Sequence, residues 1–142
     1  MRLSVDPPRR ADAYGFSHRI RVRFAETDAM GIVHHGSYLL YLETARVEYL
    51  RTTGHPYLDV RAAGVDFAVL EVAVQYLHPL YFDDEVDVHV GLAAPTRATF
   101  QIAYLLTRAD QTVATAVTVH GAVGPDGRPA RLPPWLRALM AR

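Results

Sequence analysis

Alternating apolar and polar residues mark five segments of this chain as strands. In the first, Ile20, Val22 and Phe24 alternate with Arg19, Arg21 and Arg23, the period-two pattern of a half-buried strand. The pattern returns in Ala68-Leu70-Val72-Val74-Tyr76, in Val86-Val88-Val90-Leu92, in Phe100-Ile102-Tyr104-Leu106 and in Val113-Thr115-Val117-Val119. Turn-forming residues separate these runs: His78-Pro79, Asp83-Asp84, Pro95, Ala109-Asp110-Gln111 and Gly124-Pro125-Asp126-Gly127. Residues 37–53 are spaced differently. At about 100° per residue, Tyr38, Leu42, Ala45 and Tyr49 fall on one helical face. Ser37 is the expected N-cap, and Gly54 followed by His55-Pro56 the expected stop. Leu39, Leu40 and Val47 carry apolar groups round to the other sides, so the helix is expected to be surrounded by protein. A short amphipathic stretch from Pro133 to Met140 predicts a last helical turn, and residues 1–17, with Pro7-Pro8-Arg9-Arg10, a flexible tail.

The order is therefore strand, loop, helix and four strands, an α+β domain over residues 18–142 with no internal repeat. Short links favour an antiparallel meander among the last four strands. Five strands spaced ~4.8 Å span about 20 Å, while one helix is only ~10–12 Å across. The sheet must curl round the helix. Its edge strands stay open, and edge pairing between two copies would close them, which predicts a homodimer with a continuous sheet.

The chain has 142 residues, 50% of them hydrophobic and 21% charged, the composition of one globular domain. Fifteen basic residues balance fifteen acidic ones. That balance disfavours nucleic acid as the main partner, since phosphate backbones demand a basic excess. Every basic residue is Arg, which excludes Schiff-base chemistry and a lysine-based phosphate loop, although arginine itself grips phosphate well. Absence of cysteine excludes disulfides and thiolate metal sites. No run approaches the ~20 apolar residues of a membrane span, and the first residues lack the apolar stretch of a signal peptide. A cytoplasmic protein without membrane insertion is expected.

Candidate chemistry concentrates in the loop Ala25–Gly36. Acids and histidines stand there directly before the N-terminus of a buried helix, where free amides and the positive dipole end favour a developing oxyanion. Asp28 supplies a carboxylate able to attack a carbonyl or activate water. A plain turn capped by Thr27 and Asp28 accounts for the same residues.

The run D-x-x-G-I-V-x-H-x-x-Y from Asp28 to Tyr38, followed by Leu42-Glu43-x-Ala45-Arg46-x-Glu48-x-Leu50-Arg51, resembles the hotdog-fold acyl-CoA thioesterases. The likeness is to the 4-hydroxybenzoyl-CoA thioesterase-like and Tol-Pal-associated group. It continues through Val72–Pro79 and Asp83-Asp84, covers roughly residues 18–125 and fades beyond. The resemblance implies a curled five-stranded antiparallel sheet wrapped around one long helix, and hydrolysis of an acyl-CoA to free acid and coenzyme A. It places the catalytic carboxylate at Asp28, as nucleophile or general base, and the oxyanion-binding amide at His35, with Gly36 beside it at the helix entrance. Gly31, His34 and Tyr38 fall on substrate-contacting positions, and Glu26 stands where many relatives have Asp. No cofactor or metal is implied. Relatives of this group suggest a dimer of dimers docked through the exposed outer sheet face.

Other assignments fit less well. Ser37, His35 and Asp28 contain the elements of a serine triad but lack the G-x-S-x-G elbow. His34, His35 and Asp28 could ligate zinc, yet no H-E-x-x-H is present. Glu43/Arg46 and Glu48/Arg51 read as salt pairs three apart on the helix, with Glu43 a possible helix-borne base. His55, His78, His89 and His120 read as structural or solvated, Arg19, Arg21 and Arg23 as a solvated face, and Trp135 as a core cover or subunit contact. Arg97, Arg128 and Arg131 are candidates for coenzyme A phosphates, and Arg97 and Arg131 are carried as substrate-binding. Tyr38, Tyr41, Phe67 and Tyr76 are candidates for an acyl pocket. The competing functions are a non-catalytic acyl-CoA-binding protein, a hotdog hydratase or dehydratase, and a structural partner of an envelope complex.

Overall fold

The alternating segments become a five-stranded antiparallel sheet in the computed structural model, which describes residues 1–141. The strands are β1 (Phe16–Arg21), β2 (Asp66–Tyr76), β3 (Glu85–Ala93), β4 (Thr99–Arg108) and β5 (Gln111–Val123). Helix α1 (Ser37–Thr52) is followed by α2 (Tyr57–Ala62), which the apolar spacing did not reveal, and the chain closes with α3 (Pro134–Met140). The sheet order is β1-β3-β4-β5-β2. Only β3, β4 and β5 form the predicted meander. Strand β2 pairs with β5 at the opposite edge, not with β3. The link that reads as a hairpin, residues 77–84, instead crosses the open end of the curled sheet. Fully buried Leu80 anchors it, and the Leu77 and His78 amides donate to the Val113 carbonyl.

The core lies between α1 and the concave face of the sheet. Tyr38, Tyr41, Leu42, Ala45 and Leu50 of α1 are buried there, against Val86, Val88, Val90, Phe100, Ile102 and Tyr104. Protein does not surround the helix as its apolar residues predict, because Leu39 and Leu40 face outward and are exposed. Gly36, not Ser37, caps α1. Ser37 opens the first turn and its hydroxyl donates to the Glu26 carbonyl at 3.2 Å. The helix ends as its sequence predicts. Gly54 takes φ +87°, its amide donates to Arg51 O and the His55 amide to Leu50 O, the paired closing bonds of a Schellman motif.

Strand β1 begins at Phe16, inside the stretch read as tail, and ends at Arg21. Phe24 does not continue the inward row. It starts a short 3-10 turn, is 75% exposed, and sets its ring edge-on against Phe82. The arginines of β1 are solvated but paired: Arg19 with Glu85 and Asp87, Arg21 with Asp83 and Glu85.

The first residues lie along the convex face of the sheet. The Ser4 and Val5 amides donate to Gln101 Oε1, Gln101 Nε2 donates to Arg2 O, and the Arg2 amide donates to Glu71. Gln101, Ala103, Leu105, Thr115, Val117 and Val119 are consequently buried although they face outward. The outer sheet face expected to be free for docking is covered at β4 and β5 by the chain's own N-terminus. Among the described residues no helix is long and apolar enough to cross a membrane.

Candidate active site

A buried carboxylate fixes the loop before α1. Glu26 is 6% exposed and accepts from the Arg23 amide at 2.8 Å, from Arg23 Nε at 2.9 Å and from the Tyr41 hydroxyl at 2.7 Å. Burial pushes its titration upward, but the Arg23 amide, the Tyr41 hydroxyl and the Arg23 guanidinium outweigh that and hold it below the usual carboxylate range. The same residue fastens the loop through its main chain, since Glu26 O accepts from the His34 amide at 2.8 Å. The helix (through Tyr41) and the loop (through His34) are thus tied to one residue.

Beyond Glu26 the chain makes a small hairpin. Thr27 bridges Val33, the Asp28 amide donates to Ile32 O at 2.9 Å, and the Gly31 amide returns to Asp28 O at 2.9 Å. Gly31 sits at φ +80°, a left-handed conformation that costs other residues ~1–2 kcal/mol. Asp28 Oδ1 accepts from the Met30 amide at 2.8 Å, an Asx turn that fixes the carboxylate orientation. Oδ2 has no protein partner among the described residues. Asp28 is half-buried at this tip.

His34, His35 and Gly36 lead into the helix. The Gly36 amide donates to His34 Nδ1 at 3.0 Å, and the two imidazoles lie 4.2 Å apart. Tyr76, at the end of β2, donates its hydroxyl to His35 O at 2.9 Å and sets its ring at 87° to Tyr38. Burial, followed by the neighbouring Tyr76, raises the Tyr38 phenol above its ordinary range. Among the described residues the His35 amide has no acceptor, and it stands at the positive end of α1. A free amide, a helix dipole and an oriented carboxylate form a setting for attack on a carbonyl.

Asp28, Gly31, His34, His35, Gly36 and Tyr38 are therefore neighbours on one loop and the first helical turn. Arg97 and Arg131 are not among them. Both lie toward the C-terminal end of α1, where His55 stacks on Trp135 at 3.9 Å, Arg131 lines a cleft with that pair, and Arg97 O accepts from the Leu132 amide. Sixteen residues of helix amount to about 24 Å. Arg128 is exposed and pairs with Asp126. The salt pairs Glu43/Arg46 and Glu48/Arg51 form as their spacing predicts. Sequence reasoning passed over Glu26 as anchor and Tyr76 as the clamp on His35. Only the proximity of Glu26 to Asp28 gave a signal, because the Tyr41 contact depends on how the helix turns and Arg23 reads as part of a solvated strand face.

Comparison with known proteins fits this architecture. The profile of the Thioesterase-like superfamily matches residues 22–140, reaching past residue 125, where the sequence motifs fade. A protein of Aquifex aeolicus is 44% identical over 105 residues, covering 74% of this chain and 82% of that one. The acyl-CoA thioesterase YbgC of Haemophilus influenzae is 35% identical over 97 residues, 66% of this chain and 70% of that one. A crystal structure of a hypothetical Aquifex aeolicus protein superposes with a TM-score of 0.84 at 39% identity, covering 88% of this chain and 98% of that one. A curled antiparallel sheet around a central helix is the hotdog fold, and this chain is an enzyme of the thioesterase-like superfamily.

Proposed function

We propose that the chain hydrolyses an acyl-CoA thioester to the free acid and coenzyme A. The observation that carries this is the pairing of an oriented carboxylate with an unpaired amide at a helix N-terminus. The thioester carbonyl oxygen rests against the His35 amide, with Gly36 beside it. Asp28 Oδ2 either attacks the carbonyl carbon, forming an anhydride that water opens, or takes a proton from a water that attacks there. In both routes the carbon–sulfur bond breaks, the sulfur leaves with its electron pair and takes up a proton, and the acyl group gains an oxygen from water. Gly31 gives the turn its shape, and His34 and Tyr38 flank the bound thioester. The chemistry calls for no cofactor.

A homodimer is part of this proposal. Strand β2 is an open edge carrying exposed Val69, Leu70, Val72 and Tyr76, beside exposed Leu39 and Leu40 of α1, a patch that favours a second copy. A two-fold axis at that edge runs the two α1 helices antiparallel. Arg97 and Arg131 of one copy then lie toward the Asp28 loop of the other, where coenzyme A phosphates need cations. A dimer of dimers requires a surface other than the covered faces of β4 and β5.

The test is thiol release from a panel of aromatic, short and long acyl-CoA thioesters by wild type and Asp28→Asn. Turnover by wild type that falls at least a hundredfold in a folded variant supports the assignment. Near-normal turnover by the variant removes Asp28 from the chemistry, and tight binding without turnover by wild type makes the chain a binding protein.

A further inference from the structure

From the His34 amide to the Gly36 carbonyl, the main-chain polar groups are bonded with a single exception. The His34 amide donates to Glu26 O at 2.8 Å, His34 O accepts from the Ser37 amide at 2.9 Å, and Gly36 O accepts from the Leu39 amide at 3.2 Å. The peptide joining His35 to Gly36 is held at both ends. Its carbonyl oxygen accepts from the Tyr76 hydroxyl at 2.9 Å, and its amide donates to His34 Nδ1 at 3.0 Å. A planar trans peptide points its C=O and N–H in opposite directions, so Tyr76 of β2 and the imidazole of His34 hold it from opposite sides. Among the described residues the group left over is the His35 amide.

The imidazole can take this place only over a bare Cα. A Cβ on Gly36 would stand 3.1 Å from His34 Nδ1 and 3.2 Å from its Cε1, so the ring would have to move. Backbone strain does not call for glycine here, because Gly36 takes φ −69° and ψ −25°, ordinary helical values. His34 plays the part of an Asx side chain in a turn, taking the amide two residues on. An accepting Nδ1 leaves the proton of the neutral ring on Nε2. The Gly36 amide, once occupied, is withdrawn from any oxyanion. The His35 amide gains instead. The carbonyl of its own peptide, His34 O, accepts a hydrogen bond, and bonds in such a chain polarise one another, so the free N–H donates more strongly.

We infer that His34 and Tyr76 are positioning residues: together they lock the peptide between His35 and Gly36 and so aim the free His35 amide at the thioester carbonyl. An oxyanion donor must stand ~2.7–3.1 Å from the developing charge, and a peptide free to turn loses that alignment. Gly36 serves by making room for the imidazole, not by donating. The inference rests on the thioesterase proposal above and names the side chains that hold its oxyanion site.

The experiment reads turnover and amide hydrogen exchange in wild type, His34→Ala, His34→Asn, Tyr76→Phe and Gly36→Ala. The substrate is whichever of benzoyl-, butyryl- and decanoyl-CoA wild type hydrolyses fastest. His34→Ala and Tyr76→Phe should each lower kcat about tenfold, the worth of one net hydrogen bond, with a smaller change in KM. The double variant should lose less than the product of the two, because both bonds hold one peptide. His34→Asn should recover most of the loss, since its Oδ1 accepts the same amide, and Gly36→Ala should slow like His34→Ala. Exchange gives a readout that needs no turnover: the Gly36 amide should exchange more slowly in wild type and His34→Asn than in His34→Ala. An active wild type whose His34→Ala and Tyr76→Phe variants keep its kcat overturns the inference and leaves the thioesterase reading standing. His34→Asn as slow as His34→Ala, or a Gly36 amide that exchanges as freely in wild type as in His34→Ala, does the same. Wild type that hydrolyses none of these thioesters overturns the thioesterase reading, and the kinetic role of the clamp with it, even where the Gly36 amide is protected.

Discussion

Replacing Tyr41 with Phe removes a single oxygen and tests how the loop is held. In the wild type that hydroxyl donates to Glu26 Oε1 at 2.7 Å, in a site where the carboxylate is 6% exposed. The variant keeps the ring packing and leaves a buried charge with one donor fewer. Hydrogen bonds to charged groups contribute ~1.5–3 kcal/mol, roughly 6–12 °C in Tm for a chain of this size. The pH dependence should change as well. Glu26 titrates below the usual carboxylate range in the fold, so its contribution is present above the unfolded value of about 4.3 and is lost as pH falls through the lower, folded value. Tyr41→Phe narrows that gap, so the variant should lose less stability on acidification than wild type. Because Glu26 O also holds the His34 amide, turnover should fall severalfold with little change in KM. Thermal melts from pH 3 to 7 and steady-state rates make the measurement. A variant as stable as wild type at neutral pH, with the same acid profile, would refute this account of the anchor.

Further outcomes follow from other parts of the fold. Burial, aided by Arg46, pushes His120 down to about 3. Its folded value lies below the unfolded ~6.5, so it stabilises above pH 6.5, and that stability is lost as pH falls toward 3 by ~1.4 kcal/mol per unit at most. His120→Phe should flatten this part of the stability profile; a His120 resonance titrating near 6.5 contradicts it. Gly31→Ala, at φ +80° with open space around it, should cost ~1–2 kcal/mol from backbone strain alone, read by chemical denaturation, and should lower kcat by displacing Asp28. Deleting residues 1–8 should cost on the order of 2 kcal/mol by uncovering the outer face of β4 and β5 and should promote self-association, read by melting and by light scattering; unchanged stability would mean that the segment does not hold that face.

Period-two alternation placed all five strands to within a few residues and marked the inward rows of β3 and β4, but β4 and β5 are buried on both faces beneath the N-terminal segment, and Thr115, Val117 and Val119 of the row read in β5 face outward. Strand order was not legible. Residues 77–84 have the length and turn residues of a hairpin loop, and only the packing of Leu80 shows that they cross the sheet. Phe24 misled because its apolar ring follows Ile20 and Val22 in register although the chain turns away at Val22. The N-terminal segment gave little signal, since it is held by side-chain acceptors on the sheet, Gln101 and Glu71, rather than by a strand pattern of its own. For the site, the motif from Asp28 to Tyr38 marks the proposed loop, and its turn, glycine and helix entrance are legible because they are local in sequence. Glu26–Tyr41, Tyr76–His35 and Tyr104–Thr118 join residues far apart along the chain, and no local spacing reveals them.

The central claim is geometric: a thioester carbonyl bound at the His35 amide with Asp28 facing its carbon. A crystal structure of Asp28→Asn holding an unhydrolysed acyl-CoA tests it directly. The account predicts the carbonyl oxygen within ~2.7–3.1 Å of the His35 nitrogen, with residue 28 over the carbonyl carbon. A thioester seated away from the helix entrance, with the His35 amide free, would contradict it.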